Sequence, residues 1–265
     1  MIDTHAHLDF ENFEDDLREV LGRFFEGNPQ GFIVNIGVDF ERNLESIKLT
    51  KKDKRIFTSI GFHPEILDEM KESFSLEKAI LQLEELSQEK KVIAIGEIGL
   101  DYFHNSSNKK QQKELFIAQL DFAVKQKMPV VIHCRDAYED VYEIISQKKY
   151  GDLRMVMHCF CGDLKQTEFF LTLDNLNFSF TGNITFPKKD DAEILEVIRI
   201  IPIEKIMAET DCPFLAPTPM RGKRNEPSFV KFIIEKIAYI KEMQREEGEK
   251  ILDQNAIDFF KLRLI

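Results

Sequence analysis

Six histidines occur in the 265-residue chain. Four of them, His5, His7, His133 and His158, fall where a short apolar run gives way to polar residues, and a fifth, His63, follows another such run. Glu97 and Asp211 stand at the ends of two further runs. Imidazoles and carboxylates are common ligands of zinc and related divalent ions. His5 and His7 are two apart, so on a strand both face one point. Taken singly, each position reads as a hydrogen-bonded core histidine or a helix cap. Taken together they need a separate reason each, whereas a shared metal site needs one.

The elements that would position these residues alternate regularly. The apolar runs cover residues 1–4, 31–37, 56–61, 92–98, 129–133, 155–158, 177–181 and 205–210. Helix-like stretches cover 14–26, 41–52, 76–89, 109–127, 137–148, 164–173, 190–200, 227–241 and 246–260. Within 109–127, Leu115, Ala118, Gln119, Phe122 and Ala123 recur at three- and four-residue steps, the helical period. Strand–helix alternation with buried-type strands predicts a parallel sheet. Eight units in this length favour a single (β/α)8 TIM barrel over 1–265, with an open doubly wound sheet as the alternative. A barrel of this kind carries its active site at the C-terminal ends of the strands, where the candidate ligands lie.

Composition narrows the function classes. The chain is 43% hydrophobic, which supports a large core and excludes global disorder. No stretch of about 18 apolar residues occurs, so no membrane-spanning helix is expected. Met1 leads directly into Ile-Asp-Thr-His without a basic or signal-type apolar start, which reads as cytoplasmic. The four cysteines lack a disulfide-scaffold spacing and read as reduced thiols, with Cys134 and Cys159 turned from the site toward the helices. With 36 Lys and Arg against 47 Asp and Glu, the net charge of −11 excludes broad coating of nucleic acid. It leaves room for a local phosphate site, because a metal cluster supplies charge that no residue count records.

Several blocks resemble one family. Met1-Ile-Asp-Thr-His-Ala-His-Leu8 is similar to the opening signature of the TatD-related metal-dependent deoxyribonucleases, within the amidohydrolase superfamily. Gly61-Phe-His-Pro64, Gly96-Glu-Ile-Gly-Leu-Asp-Tyr102, Pro129-Val-Val-Ile-His-Cys-Arg-Asp136, His158-Cys-Phe and Glu209-Thr-Asp-Cys-Pro-Phe214 resemble its further blocks, in order. Arg221-Gly-Lys-Arg-Asn-Glu-Pro227 resembles its basic loop. The resemblance implies an amidohydrolase-type barrel that hydrolyses phosphodiester bonds in DNA, using a metal-bridging water or hydroxide as nucleophile. It implies one divalent ion on His5, His7, Glu97 and Asp211, and a second on Glu97, His133 and His158, with Glu97 bridging. Two such ions outweigh the charges of Glu97, Asp211 and a hydroxide, leaving the site positive toward a phosphodiester. Asp211 would orient the water and accept its proton, and His63 would contact phosphate. Nitrogen-rich ligands suit Zn²⁺, Mn²⁺, Ni²⁺ or Co²⁺ better than Mg²⁺, although the family resemblance allows Mg²⁺.

The remaining candidates are less specific. Glu209 and Asp3 share parity with Asp211 and His5 and are expected to orient ligands or to be buried structural carboxylates. Arg135 shares parity with His133 and is expected to reach phosphate or a carboxylate. The loop with Arg221, Lys223 and Arg224 reads as a phosphate-binding loop, and few aromatic residues lie near it in sequence, which argues against extended base stacking there. His104 reads as a surface loop residue. Two rival functions share these residues: a hydrolase of small esters, lactones or amides, and a noncatalytic metal-binding scaffold. Retention of Glu97 and Asp211 weighs against the scaffold. No stable protein partner is implied.

Overall fold

The computed structural model describes residues 1–187 and 192–262. Strand β1 (Ile2–Ala6) is followed by α1 (Leu17–Glu26), β2 (Phe32–Ile36), α2 (Phe40–Thr50), β3 (Ile56–Ile60) and two helices, α3 (Ile66–Met70) and α4 (Leu76–Leu86). The chain continues through β4 (Val92–Asp101), α5 (Lys109–Gln126), β5 (Val130–Arg135), α6 (Tyr138–Ile145), β6 (Met155–Met157), α7 (Leu164–Leu171) and β7 (Leu176–Phe180). It closes with α8 (Glu193–Ile200), β8 (Ile206–Ala208), α9 (Val230–Ile240) and α10 (Arg245–Phe260). All eight expected strands and all nine expected helices are present. The first two residues of the helix expected over 190–200 lie outside the described residues. The short α3 was not anticipated.

Every strand pairs in parallel with its sequence neighbour, in the order β1 to β8. Both faces of such strands are covered, which is why they read as continuous apolar runs. Two apolar layers result. Ile33, Ile60, Ile95, Ile132, Met157 and Phe180 pack outward against the helices. Val34, Phe57, Ala94, Val131, Val156 and Met207 fill the inside together with Phe259 and Phe260 at the end of α10 and Leu262 just after it. Asp253 of α10 accepts from Ile2 N–H at 2.8 Å, and Asn255 donates to Ile206 O at 2.7 Å. Helix α10 therefore plugs the N-terminal end of the barrel, and each buried Phe there contributes about 1.5–3 kcal/mol. The opposite end is left for polar residues. Among the described residues no helix is long and apolar enough to cross a membrane.

Closure between β1 and β8 combines backbone and side-chain hydrogen bonds. The two edges meet through an isolated parallel bridge, Ala6 to Cys212. His7 N–H donates to Cys212 O and Asp211 N–H to His5 O, both at 2.9 Å. Below them, the buried Asp3 carboxyl accepts from Thr210 N–H at 2.8 Å and meets Thr210 Oγ1 at 2.6 Å. Thr4 Oγ1 donates to Ala208 O at 3.1 Å. The parity of Asp3 thus serves the barrel seam, one residue from both Thr4 and, through Thr210, Asp211. Burial lifts the Asp3 carboxyl to about 8 despite the donors from Thr210, so it is neutral at pH 7.

Asp3→Ala is expected to cost about 2–4 kcal/mol, because it strands two buried polar groups of Thr210. Asp3→Asn, which matches the neutral acid in shape, is expected to cost much less. It should also remove a loss of stability that wild type shows as pH rises from about 4 to about 8, since the folded protein holds the Asp3 proton longer than the unfolded chain. Urea titrations across that range measure both effects. An Asn variant as unstable as the Ala variant would show that an ionised carboxylate holds the seam.

Candidate metal centre

Two register shifts place the first candidate ligands. Against β2, β1 advances from Asp3 to Ala6 while its partner advances only from Ile33 to Asn35. Against β5, β4 advances from Ile95 to Ile98 while its partner advances from Val130 to Ile132. Each shift is a bulge, which bends a strand and re-aims a side chain, and they fall beside His5 and Glu97. Beyond the second bulge, Gly99 has φ 152°, and a Cβ there would lie 1.9 Å from His133 O. Glycine lets β4 press against the strand that carries His133.

Glu97 sits at the centre, buried. Its Oε2 lies 3.4 Å from His5 Nε2. Asp211 Oδ1 lies 3.6 Å from His5 Nε2 and 3.4 Å from His7 Nε2, and the two Nε2 atoms are 3.1 Å apart. Its Oε1 faces another set: His133 Nδ1 at 2.8 Å, His158 Nε2 at 3.4 Å and His63 Nε2 at 3.9 Å. All six residues expected as ligands are therefore brought together. His63 joins them more closely than its expected role as a phosphate contact required.

The outward-facing ring nitrogens are held by acceptors. His7 Nδ1 faces Ile36 O at 3.3 Å, His158 Nδ1 faces Glu209 Oε1 at 2.9 Å, and His133 Nε2 faces Asp101 Oδ2 at 3.0 Å. A carbonyl or carboxylate can only accept, so the N–H lies outward, and in a neutral ring the other nitrogen presents its lone pair to the centre. His5 differs: its buried Nδ1 has no hydrogen-bond partner, and its ring stacks on His158 at 3.8 Å. Ligands about 2.0–2.2 Å from a tetrahedrally coordinated ion lie roughly 3.3–3.6 Å from each other. His5 to Glu97, His5 to Asp211 and His7 to Asp211 match that spacing, and the His5–His7 pair is slightly closer at 3.1 Å, so the donor set fits a divalent cation.

The charge states follow from these contacts. Burial pushes the Glu97 carboxyl up, but His158, His133 and His5 together pull it well below the usual range. Asp211 and Glu209 are likewise lowered against burial, Asp211 chiefly by His7 and Glu209 chiefly by His158. Burial lowers His133 and His158, yet Asp101 and Glu97 raise His133 to about 9, and Glu97 and Glu209 raise His158 to about 10. His63 is driven down to about 3 by burial and by His133. The site is a layered alternation of anions and imidazoles.

Other expectations were met unevenly. Glu209 accepts from both His158 Nδ1 and Cys159 N–H, the latter at 2.7 Å, so it fixes a candidate ligand. Asp101 joins the site without standing at the end of a predicted strand, although it shares the parity of Glu97 four residues on. Strand β4 runs to Asp101 rather than stopping at 98, and Asp101 also binds His104 Nδ1 at 2.8 Å. His104 lies exposed in a turn, as expected, and is also tied to the edge of the site, with Glu65 Oε1 at 2.8 Å. Arg135 lines the cavity of about 690 Å³ above Glu97. Arg221 packs on Phe186 at 3.8 Å, and neither residue is among those lining that cavity. Arg224 is held by Asp16 at 2.6 and 2.8 Å, so the loop is less basic than its residues suggest. Cys134 packs among the helices as expected. Cys159 does not: it lies 3.3 Å from Thr181 Oγ1, in a polar nest where Asn183 donates to Cys161 at 3.0 Å.

Comparison with known proteins agrees with this geometry. The family model described as TatD related DNase matches residues 2–261. The chain is 38% identical to the metal-dependent hydrolase YabD of Bacillus subtilis, over 99% of both chains. It is 30% identical to the 3'-5' ssDNA/RNA exonuclease TatD of Shigella flexneri, over 90% of both. The solved structure of YJJV, a TatD homologue from Escherichia coli, superposes with a TM-score of 0.88 at 27% identity, covering 99% of this chain and 98% of that one. An eight-stranded parallel barrel with imidazoles and carboxylates converging at its mouth, matched from end to end by this family model, places the chain in the family of TatD-related metal-dependent hydrolases.

Proposed function

We propose that this chain is a metal-dependent phosphodiesterase that cleaves nucleic acid strands, DNA in the first instance, using two divalent ions at the barrel mouth. The observation that carries the reading is the disposition of Glu97, whose two oxygens face two different groups of nitrogen donors. His5, His7, Glu97 and Asp211 would hold one ion, and Glu97, His133 and His158 the other. Bound divalent ions supply Lewis acidity toward a phosphoryl oxygen and ionise water near neutral pH. Asp211, an anion with 14% of its side chain exposed, is placed to orient the attacking water and take its proton. His63 is neutral at pH 7 and lines the cavity, so it serves to position a phosphate oxygen. Arg135, which also lines the cavity, supplies fixed positive charge.

The test is a substrate panel of single-stranded DNA, duplex DNA, RNA and small esters, with Zn²⁺, Mn²⁺ or Mg²⁺ added and with chelator. Cleavage of nucleic acid only when metal is present is expected. Hydrolysis of esters with nucleic acid left intact would transfer the site to the small-ester reading.

Glu97→Ala is expected to lose roughly ten-fold more activity than His5→Ala in metal-saturated, folded protein, because a bridging carboxylate serves both ions and His5 serves one. Equal residual activity would argue against bridging.

The histidines make a second prediction. In metal-free protein, His133 and His158 have folded pKa values of about 9 and about 10, above the ordinary 6.5. Their contribution to stability is full below pH 6.5 and is lost as pH rises through 9 to 10. Metal must displace those protons, so metal affinity should increase over the same interval and proton release should accompany binding at pH 7. Melting curves with and without metal should diverge as pH rises, and calorimetry in buffers of different ionisation enthalpy should report the released protons. A metal-induced shift independent of pH would remove His133 and His158 from the ligand set.

A further inference from the structure

The cavity carries aromatic side chains that the metal chemistry does not use. Phe214 is 51% exposed at its rim. Phe10 lies beside it, with ring centroids 6.1 Å apart and ring planes at 78°. Each ring follows a proposed ligand by three residues and is tied to it by a turn. Phe10 N–H donates to His7 O at 3.3 Å, and Phe214 N–H donates to Asp211 O at 2.9 Å. The Phe10 ring also stacks on the His7 imidazole, centroids 4.8 Å apart, and Phe214 lies 6.3 Å from the same imidazole. Phe214 thus presents an exposed ring at the edge of a charged cavity, with Phe10 packed beside it.

Cations flank the rings. Arg42 sits over Phe10 at 4.9 Å, and Arg135 is packed on Phe103 at 3.9 Å. A guanidinium resting one face on a ring keeps its in-plane N–H donors for an anion. The ligand this cavity suits is therefore both anionic and flat: a phosphate joined to an aromatic heterocycle.

We infer that Phe214, backed by Phe10, is a stacking platform for one nucleobase of the nucleotide whose phosphate lies at the metal centre. The inference rests on the phosphodiesterase reading above and adds a base subsite to it. Because the turns join each ring directly to His7 and Asp211, a base held there fixes its own phosphate relative to the ligands. A base inside a duplex has both faces covered by its neighbours, so the platform accepts an unpaired or terminal base. It reads no hydrogen-bonding edge, so it tolerates all four bases.

The experiment compares wild type, Phe214→Ala and Phe214→Trp on two single-stranded oligonucleotides, one with ordinary bases and one with abasic tetrahydrofuran sugars. Phe214 is exposed, so truncating it leaves the core intact. The ratio of kcat/KM on the base-containing strand to that on the abasic strand should fall roughly ten- to hundred-fold in Phe214→Ala and be retained in Phe214→Trp. An unchanged ratio in Phe214→Ala overturns the inference. Cleavage of the abasic strand by wild type tests the phosphodiesterase reading separately. If neither strand is cleaved, that reading fails, and stacking is decided by binding alone. A single-stranded oligonucleotide containing 2-aminopurine, titrated with protein in chelator, should then change its fluorescence with wild type and not with Phe214→Ala. No change with wild type overturns the inference.

Discussion

The burial of one carboxylate governs the rest of this structure. An ionised Glu97 taken out of water is costly unless opposite charge surrounds it. Here His5, His133 and His158 approach its two oxygens from different strands, and their partners hold them there. Asp101 and Glu209 pull the outward N–H of two of those rings, which makes the rings better donors to the centre and keeps them from rotating. Each layer of charge is tolerable only because the next is present. A cation set among the inner atoms replaces protons the imidazoles already carry, so a divalent ion requires little rearrangement.

The barrel separates stability from chemistry by end. The aromatic end of α10 fills the N-terminal mouth and supplies apolar burial. The C-terminal mouth is released from that duty and can hold unsatisfied, strongly coupled groups. The seam between β1 and β8 joins the two demands. Asp3 and Thr210 lock the edges below, while directly above them His5, His7 and Asp211 exchange backbone hydrogen bonds with each other's strand. The ligands on either side of the seam cannot drift apart without opening the barrel.

An acidic protein that handles a polyanion must concentrate its positive charge. The sequence carries a net −11, and part of its basic loop is spent on an internal ion pair with Asp16. What remains at the mouth is a small set of arginines laid on phenylalanine rings, together with protonated imidazoles and the cations they are built to receive. Such an arrangement favours gripping one or two phosphates closely over coating a long stretch of backbone.

Strand positions were legible because a parallel sheet buried on both faces needs unbroken apolar runs, and helix α5 was legible because its buried residues keep a three-to-four period. His5, His7, His133, His158, Glu97 and Asp211 were legible because chemistry needs those side-chain types and the fold presents them at strand ends. The bulges beside His5 and Glu97 were not, because a register shift is a relation between two strands and leaves no mark in either alone. The continuation of β4 to Asp101 was hidden by Gly96 and Gly99, which interrupt the apolar run yet are what let the strand pass close to β5. His104 read correctly as an exposed loop residue, but its ties to Asp101 and Glu65 were not legible, because they are distances across the fold. Arg224 looked available because Asp16, its partner, lies near the other end of the chain. The sequence alone thus determined the alternating elements and the inventory of ligands, which depend on local pattern and residue type. Only the tertiary structure decided which nitrogen faces Glu97, which carboxylate holds it and which ring lies beside the mouth, because those depend on barrel closure bringing distant residues within a few ångströms.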